Sequence, residues 1–256
     1  MGKAHQLTQR RQQILTTLGE AGQLSVVELS DIFDVSEVTI RQDLQALSEQ
    51  GLLLRTRGGA TSTNTLPELS FDLRQQQYAA QKARIGQAAA EMVSYGDTIF
   101  LDASTSSQAI IPHIKKLSEL TVVTNSLRVA FNLLDAPQIY VILPGGSLRR
   151  TSISLVGQLQ GTSIEDINIQ IGFFGARGIS VEEGLTDVNR EEVAMKRAMA
   201  EHCKRVVGLA DARKWGKIAA YSFAQLDNIE TIFTDENAPE DLVKKVRQHN
   251  VDVILV

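Results

Sequence analysis

The chain has 256 residues and a mass of 28.1 kDa, which fits one large domain or two of ordinary size. Apolar residues make up 43% of it, enough to fill a core, so a wholly disordered protein is excluded. The formal net charge of −4 excludes a uniformly basic coat for nucleic acid but allows a local basic surface. No run approaches the roughly 18 apolar residues of a membrane helix.

The cysteine and histidine content bears on compartment and metals. The amino-terminal residues lack the apolar stretch of a secretory signal, and the single cysteine, Cys203, excludes an intrachain disulfide. The four histidines lie far apart in sequence and show no metal-ligand spacing. We therefore expect a cytoplasmic protein that has no membrane association, no cofactor and no structural metal.

Three short helical patterns open the sequence, over about 8–22, 24–33 and 36–50. A good N-cap precedes the third helix, and Gly51 is expected to stop it. Because only a tight turn separates the second helix from the third, the pair predicts a helix-turn-helix. The apolar run and glycine pair that follow, over 52–60, predict a strand leading into a small wing.

A polar linker follows at about residues 61–70, and then a polar helix at about 71–95. Short apolar runs then alternate with helical stretches, as buried parallel strands do in α/β domains. These runs are 98–101, 121–124, 139–143, 169–175, 205–210, 231–234 and 251–256. The predicted architecture is an N-terminal winged helix-turn-helix over 1–62, a linker and connecting helix over 63–95, and a larger doubly wound, Rossmann-like α/β domain over 96–256.

The third helix has a face suited to reading DNA. Ile40, Leu44 and Leu47 share one side and must pack inward, so polar side chains occupy the opposite side. Hydroxyl, guanidinium and amide groups at the start of a recognition helix can address base edges, and arginines on the wing can hold phosphates or enter a minor groove. The residues expected to contact DNA are Ser36, Val38, Thr39, Arg41, Gln42, Gln45, Arg55 and Arg57.

The charge of this region argues against DNA binding. Residues 1–60 contain six basic and seven acidic side chains, which is not the usual electrostatic footprint. Because no acidic residue lies between 50 and 65 or before Glu20, we expect few phosphate contacts and a modest salt dependence. The alternative is a small helical bundle or dimerisation module. Glu37 and Asp43 are interpreted as capping or structural residues rather than base readers.

One long run of this region resembles a known family. The sequence VSEVTIRQDLQALSEQGLLLRTRGGA, preceded by LSVVELSDIFD, closely resembles the DeoR-type helix-turn-helix signature, over about residues 7–62. The family usually shows Arg where this chain has Gln42, and often His where it has Arg57. The resemblance implies binding to double-stranded operator DNA, although these departures prevent transfer of an operator sequence.

A second constellation lies at the ends of the predicted strands. Hydroxyl side chains follow the first strand, and the other strand ends carry amide, glycine, arginine, aspartate and lysine residues. Since ligands of open α/β sheets bind at the carboxyl ends of strands, these loops are expected to form one site for a phosphorylated sugar or polyol. The predicted effector-binding residues are Asp102, Ser104, Thr105, Ser106, Ser107, Asn125, Gly145, Gly146, Arg177, Asp211 and Lys214.

Each of these residues also has an ordinary structural explanation. A Ser/Thr-rich loop is often only a helix cap, a glycine pair is usually a turn, and Asp211 can cap the turn that follows it. Four charged residues on a later helix have the spacing of surface ion pairs, and we interpret them so. They are Glu191, Glu192, Lys196 and Arg197.

The same segments resemble the DeoR-family effector domain, so the resemblance extends over about residues 6–256. That domain is similar in fold to ribose-5-phosphate isomerase and coenzyme A transferases. The resemblance implies a phosphosugar sensor whose phosphate loop is 104–107, where the family's usual loop has Gly in place of Ser104. The isomerases carry catalytic aspartates around the loop matching 175–178, which holds no carboxylate here, while Lys214 falls where they have a lysine. Because sugar isomerisation needs a carboxylate base, binding without turnover is expected.

The combined prediction is a transcriptional regulator, most simply a repressor of a sugar or polyol catabolic operon, controlled by a phosphorylated sugar. Two operator half-sites require two reading heads, so a homodimer or homotetramer is expected. One alternative is a sugar-phosphate isomerase-like enzyme with an appended DNA-binding head. Another is an interaction scaffold with neither activity. The connecting helix at 71–95 is the expected route of coupling.

Overall fold

The computed structural model describes residues 10–11, 13–15, 17–18, 21–49, 52–61, 71–157, 164 and 166–256. The chain forms two compact units, 1–69 and 70–256. Most of the expected linker and the expected helix stop at Gly51 lie outside the described residues. The boundaries predicted at 62 and 95 therefore stay predictions.

The first unit combines helices with a small antiparallel sheet of strand order β1-β3-β2. Its buried core joins Leu29 of the second helix to Ile40, Leu44 and Leu47 of the third, the three side chains predicted to point inward. The elements are the helical residues at 10–11, 13–15, 17–18 and 21 (α1), β1 (Gln23–Ser25), α2 (Val26–Phe33), α3 (Glu37–Glu49), β2 (Leu54–Thr56) and β3 (Gly59–Thr61).

Local sequence signals set the helix boundaries of this unit. The Ser25 hydroxyl accepts a hydrogen bond from the Glu28 backbone N–H while the Glu28 carboxylate accepts one from Ser25, which is a complete capping box. Asp34, in the left-handed region at φ 48°, ends α2, and the Ser36 hydroxyl then accepts from the Thr39 N–H to start α3. Gly58, at φ 104°, closes the β2–β3 hairpin. The predicted helix-turn-helix and wing are both present.

The second unit is built on a sheet of seven parallel strands in the order β15-β14-β12-β9-β4-β5-β6. These strands are β4 (Thr98–Leu101), β5 (Thr121–Thr124), β6 (Tyr140–Ile142), β9 (Ile169–Gly175), β12 (Cys203–Leu209), β14 (Thr231–Thr234) and β15 (Asp252–Leu255). All seven apolar runs of the sequence supply a strand, and the boundaries of four of them agree exactly with the prediction.

Two smaller antiparallel groups of strands accompany the main sheet. One is the hairpin of β7 (Ser147–Arg149) and β8 (Ser154–Val156). The other is a three-stranded sheet of β10 (Gly178–Ser180), β11 (Gly184–Asp187) and β13 (Tyr221–Ala224). The helices are α4 (Phe71–Gln76), α5 (Ala79–Ala90), α6 (Thr105–Gln108), α7 (Ile111–Ile114), α8 (Leu127–Asn132), α9 (Arg190–His202) and α10 (Glu240–Arg247), with 3₁₀ turns at Ala212–Lys214 and Leu226–Asn228.

Apolar residues cover both faces of the main sheet. Along β4 the side chains alternate, so that Ile99 and Leu101 enter one buried cluster while Phe100 enters the other. Ile85 of α5 and Val129 of α8 belong to the first cluster, whereas α9 and α10 contribute to the second. This two-sided burial confirms the doubly wound α/β prediction.

The expectation of one helix over 71–95 is wrong. Tyr78 has φ 53°, a left-handed conformation that interrupts the helical hydrogen bonding and separates α4 from α5. The second of these helices ends at Ala90 and contacts β14, so it belongs to the α/β unit rather than to a free connector. Among the helices in the described part of the chain, none is long and apolar enough to cross a membrane.

Candidate functional site

The residues predicted to contact DNA lie on one face of the first unit. Val38 is 60% exposed, and Ser36, Arg41, Gln42 and Gln45 are exposed along the same helix, while Thr39 is half-buried beside its cap. Arg55 and Arg57 are exposed on the β2–β3 wing. Helix and wing therefore present polar side chains to solvent, as major-groove readers do.

Short contacts organise these side chains. Arg41 donates to Glu37 at 2.6 Å, one helical turn away, and Arg55 donates to the Gln45 side chain at 2.5 Å. The Gln45 amide in turn donates to Glu49 at 2.8 Å. The wing is thus hydrogen-bonded to the middle of α3, which fixes their relative orientation.

Asp43 is structural, in line with its interpretation from sequence. Its carboxylate is 1% exposed and accepts hydrogen bonds from Arg10 at 2.6 Å and Arg11 at 2.7 Å. These two arginines therefore neutralise a buried acid, which leaves Arg41, Arg55 and Arg57 as the described arginines of the unit that face solvent. Outside this cluster residues 1–60 hold four basic and six acidic side chains, so the pairing does not relieve the unfavourable charge balance.

The second candidate site lies where the strand order of the main sheet reverses. The strand order runs outward from β4 through β5 to β6 and from β9 through β12 to β15, so the neighbours β4 and β9 form the topological switch point. Chain segments leave these two strands toward opposite faces and open a crevice at their carboxyl ends. The loops that begin at Asp102 and Gly175 border this crevice.

Asp102 organises the loop that follows β4. It is fully buried, and its carboxylate accepts from the Ser104 N–H at 3.0 Å, the Ser107 hydroxyl at 2.5 Å and the Gly175 N–H at 2.9 Å. A Cβ at position 175 would lie 2.3 Å from the Ser104 hydroxyl oxygen, so only glycine permits this approach. With its oxygens already used, Asp102 holds the loop in place, and its direct contact with an effector stays a prediction.

The hydroxyl groups of this loop differ in their availability. The Ser104 hydroxyl caps α6 by accepting from the Ser107 N–H, and the Ser107 hydroxyl is fully buried beside Asp102. Thr105 and Ser106 are 8% and 7% exposed, and neither hydroxyl is hydrogen-bonded to another described residue. These two are the groups of the loop that remain free to bind an anion.

Lys196 of α9 links three strand ends. Its ammonium lies 2.6 Å from Asp187, 3.1 Å from Asp102 and 2.7 Å from the Gly175 carbonyl oxygen. Burial lowers the pKa of Lys196, but the carboxylates of Asp187 and Asp102 outweigh that effect and hold it above its ordinary value. Burial on its own would raise the pKa of Asp187. The positive charges of Lys196 and Arg177 outweigh burial and hold this pKa below its ordinary value, so the carboxylate stays charged. The site thus contains a buried cluster in which the Lys196 ammonium lies between the carboxyl groups of Asp102 and Asp187.

Glu192 occupies the next turn of the same buried face. It accepts from the Ser152 hydroxyl at 2.5 Å and from the Ser154 hydroxyl, and it lies 3.7 Å from Arg149. Glu192 and Lys196 are 5% and 4% exposed, so their interpretation as members of surface ion pairs is wrong. Their spacing of four residues instead places them on the stripe that faces the sheet.

A basic group follows β12. Asp211 is 1% exposed and caps the 3₁₀ turn that follows it while binding Arg213 through both carboxylate oxygens, at 2.8 and 3.0 Å. Lys214 is half-buried and forms no hydrogen bond or ion pair with the described residues. Burial lowers the pKa of Lys214 to about 8. The carboxylate of Asp211 opposes this decrease, whereas the positive charges of Arg177 and Arg213 add to it. This ammonium is available to a negatively charged ligand.

A cavity of about 510 Å³ borders the loop from the side of α5. Lys82, Thr105 and Gln108 line this cavity. The side-chain oxygen of Gln108, Oε1, is buried without a hydrogen-bond partner in the described chain. The Lys82 ammonium donates to the backbone carbonyls of Arg74 and Gln77, at 2.5 and 2.8 Å, and so retains one donor. Burial lowers the pKa of Lys82 to about 7. The carboxylate of Asp211 opposes this decrease, whereas the positive charges of Lys214, Arg213 and Arg74 add to it.

The remaining predicted residues lie on the β5, β6 and β9 side. Asn125 is 1% exposed and donates to the Leu155 carbonyl at 3.1 Å, while its side-chain oxygen has no described partner. Gly145 and Gly146 have φ values of 81° and 119° and form the turn into β7, which accounts for both glycines without a ligand. Arg177 lies 3.8 Å from Asp187, at the edge of the cluster around Lys196.

Sequence reasoning missed several residues of this site. They are Lys82, Gln108, Asp187, Glu192 and Lys196. A signal existed for the last two, because they recur at helical spacing with the buried Met199 and therefore share its inward face. No comparable signal marks Lys82, which reaches the crevice from a helix that precedes the first strand of the sheet.

Comparison with known proteins agrees with both halves of this description. Residues 10–65 match the DeoR-like helix-turn-helix domain and residues 77–236 match the DeoR C-terminal sensor domain. The chain is 36% identical to the HTH-type transcriptional regulator GolR of Listeria innocua, covering 96% of this chain and 97% of the relative. It is 32% identical to a putative aga operon transcriptional repressor of Escherichia coli O157:H7, covering 97% and 94%.

A third relative is the glycerol-3-phosphate regulon repressor of Escherichia coli K12, 30% identical over 97% of this chain and 98% of that one. The matches span the reading head and the α/β unit alike, so they do not arise from the helix-turn-helix alone. The chain thus combines two features: polar residues exposed on α3 and the wing, and an α/β unit that matches a sensor domain. This chain therefore belongs to the DeoR family of DNA-binding transcriptional regulators.

Proposed function

We propose that this protein represses a sugar or polyol catabolic operon by binding double-stranded operator DNA, and that a phosphorylated sugar or polyol controls it. Two relatives that align along nearly the whole chain are named as repressors, of an aga operon and of a glycerol-3-phosphate regulon. Their names support a phosphorylated polyhydroxy compound as the class of effector. A protein that binds chromosomal DNA works in the cytoplasm, which agrees with its single reduced cysteine.

On the DNA side, α3 enters the major groove and the wing follows the backbone. Arg41 and Gln42 near the start of α3 address base edges, and Gln45 reads further along the groove. Arg55 and Arg57 hold flanking phosphates. The exposure of this face supports these roles, and the remaining contacts come from Ser36, Val38 and Thr39.

The observation that carries the effector proposal is a set of polar groups without described partners in the loops that follow the carboxyl ends of β4, β5 and β12. Donors come from the free hydroxyls of Thr105 and Ser106 and from Lys214, and a buried acceptor comes from the Asn125 side-chain oxygen. A phosphate satisfies the donors, and a sugar hydroxyl satisfies the acceptor. Around them, Asp102, Ser104, Ser107, Gly145, Gly146, Arg177 and Asp211 shape the crevice.

Regulation follows from differential binding. An effector that favours the weakly DNA-binding conformation by about 1.4 kcal/mol lowers operator affinity tenfold, and one charge-assisted contact to phosphate provides that much. The two half-sites of an operator call for a homodimer, or a homotetramer built from dimers.

We further infer that the effector is bound and not transformed. The loop at 175–178 lacks a carboxylate, but Asp187 of β11 lies 3.8 Å from Arg177 of that loop, so a carboxylate is nevertheless present beside it. The carboxylates of Asp187 and Asp102 are ion-paired to Lys196, and that of Asp211 is ion-paired to Arg213, which leaves none of the three as a free base. The rival function is sugar-phosphate isomerisation, and appreciable turnover of pentose or hexose phosphates would establish it.

A ligand panel tests the proposal. The only tryptophan, Trp215, is buried in the α/β unit beside Lys214, so its fluorescence reports thermal unfolding of that unit. Phosphorylated sugars and polyols, including glycerol 3-phosphate, are compared with their unphosphorylated forms. At a hundredfold excess over its dissociation constant the effector stabilises the unit by about 2.7 kcal/mol and then releases operator DNA in a gel shift. No stabilisation by any member would favour the scaffold alternative.

A further inference from the structure

One stretch of the α/β unit is unusual in its charge. Residues 129–148 form twenty consecutive positions with a single charged side chain, Asp135, whereas a chain with 22% charged residues would place about four there. Depletion of charge together with aromatic residues is the composition of a protein interface rather than of ordinary surface.

Much of this stretch is at the surface. Phe131 is 69% exposed, Leu134 75% and Tyr140 69%, and Leu143 and Leu148 are 41% and 50% exposed. The five side chains occur on or next to α8, β6 and β7. These elements adjoin one another, because β6 pairs with β5, α8 packs on β5 and β8, and β7 pairs with β8.

The same region contains an edge of the main sheet. Within the described chain, β6 pairs with β5 alone, so its other side offers unpaired backbone N–H and C=O groups. Proteins usually protect such an edge with charged residues or proline, or cover it. Here no charged side chain occurs from 136 to 148, and the two prolines of that range, Pro137 and Pro144, lie outside β6, so the edge is suited to being covered.

We propose that this face, formed by α8, β6 and β7, is where a second copy of the chain docks about a twofold axis. The proposed function supplies the reason for two copies, since each operator half-site needs its own reading head. A twofold interface uses the same patch on both subunits, and an apolar patch with almost no charge is complementary to itself.

The exposed area is sufficient for a stable dimer. At these exposures the five side chains present roughly 600 Å² of surface on each copy, at the upper end of what isolated proteins expose. Two copies would bury roughly 1,200 Å² through these residues alone, which exceeds the approximately 1,000 Å² expected of a specific interface.

The test measures dimer dissociation of the full chain by sedimentation equilibrium. Leu134→Glu and Phe131→Glu each place a charge at a solvent-exposed position, so folding is expected to be unaffected. Each should raise the dimer dissociation constant at least 100-fold. Ile218→Glu, at an equally apolar position of the same unit that is 59% exposed, is the matched control and should leave the constant unchanged.

Folding and function are followed in the same variants. Thermal unfolding monitored at Trp215 should be unchanged at concentrations where all proteins are monomeric. A wild-type chain that is monomeric at 100 µM, or dimerisation within threefold of wild type in both variants, overturns the inference. If such a chain still binds operator and responds to a phosphosugar, the proposed function stands without this interface. If the variants dissociate but no phosphosugar binds, the interface stands and the effector proposal fails.

Discussion

The residues expected to read DNA and the residues around the α/β site handle charge in opposite ways. In the reading head the Arg41–Glu37 pair is 52% and 44% exposed, whereas the Lys196–Asp102 pair of the α/β unit is 5% and 1% exposed. An exposed pair contributes little stability and is easily exchanged for contacts to DNA. A buried pair is costly to break and therefore holds surrounding loops in one geometry. The difference separates residues that exchange partners from residues that position a site.

The largest effect that this comparison predicts is on Lys196. In Lys196→Met the carboxylates of Asp102 and Asp187 remain buried without their cation, so the free energy of unfolding of the α/β unit should fall by about 3–5 kcal/mol. Urea unfolding followed at Trp215 measures this. Arg197→Met, the exposed neighbour on α9, is the control and should cost less than about 1 kcal/mol. Similar losses of unfolding free energy in both variants would show that the buried contacts of Lys196 contribute no more stability than those of an exposed residue.

Arg41→Ala should have the next largest effect, on function alone. Loss of a base contact weakens specific operator binding by about 1–3 kcal/mol per half-site, which is roughly 5- to 150-fold. The stability of the head changes little, because the pair with Glu37 is exposed. A gel shift measures operator affinity, and the phosphosugar-induced thermal shift should be intact. The control is Arg84→Ala, which replaces an exposed arginine of the α/β unit. Equal loss of operator and effector binding in Arg41→Ala would indicate that Arg41 has a structural role.

The reading head and the strands could be predicted because their signals are local. The capping box of Ser25 and Glu28, and the spacing of Ile40, Leu44 and Leu47, need only a few consecutive residues. Apolar runs such as 169–175 mark buried strands for the same reason, and the carboxyl ends of parallel strands then place Asp102 and Gly175 side by side. Fold and loop positions follow from these rules.

The interior of the effector site could not be predicted in the same way. The helical spacing of Lys196 with Met199 indicates an inward-facing lysine, but Lys196 meets Asp187 and Asp102 only because three elements distant in sequence converge, and no local pattern identifies those partners. The break at Tyr78 was also unpredictable, since a left-handed tyrosine is imposed by tertiary contacts such as the stacking of Arg213 on its ring. Sequence rules thus locate the site, while its electrostatics depend on the assembled fold.

A smaller effect is expected at the phosphate loop. Thr105→Glu places a carboxylate beside the proposed phosphate position, and the repulsion should lower effector affinity at least tenfold, about 1.4 kcal/mol, while operator binding is unchanged. Thr105→Val removes only the free hydroxyl and should cost less. Titration of Trp215 fluorescence with the effector found in the panel gives both affinities. Wild-type effector response in Thr105→Glu would mean that the phosphate binds elsewhere.

An effect of similar size is expected from pH, and it is confined to the α/β unit. Burial holds the pKa of Lys82 at about 7 and that of Lys214 at about 8, well below the value near 10.4 of an unfolded lysine. Between pH 7 and 8.5 the unfolded chain therefore binds more protons than the folded one, and stability rises with pH by about 1–2 kcal/mol.

Cys203 reduces this rise at higher pH. Burial raises the pKa of its thiol to about 12, so above pH 9 the unfolded chain loses a proton that the folded one keeps, which offsets part of the contribution of the two lysines. Urea unfolding at Trp215 across pH 7 to 8.5 measures the rise, and Lys82→Met should remove most of it. A bound phosphosugar should flatten it too, because phosphate holds both lysines protonated. Stability that stays level or declines over this range in the wild-type chain would show that Lys82 is charged throughout, as an arginine of the reading head is.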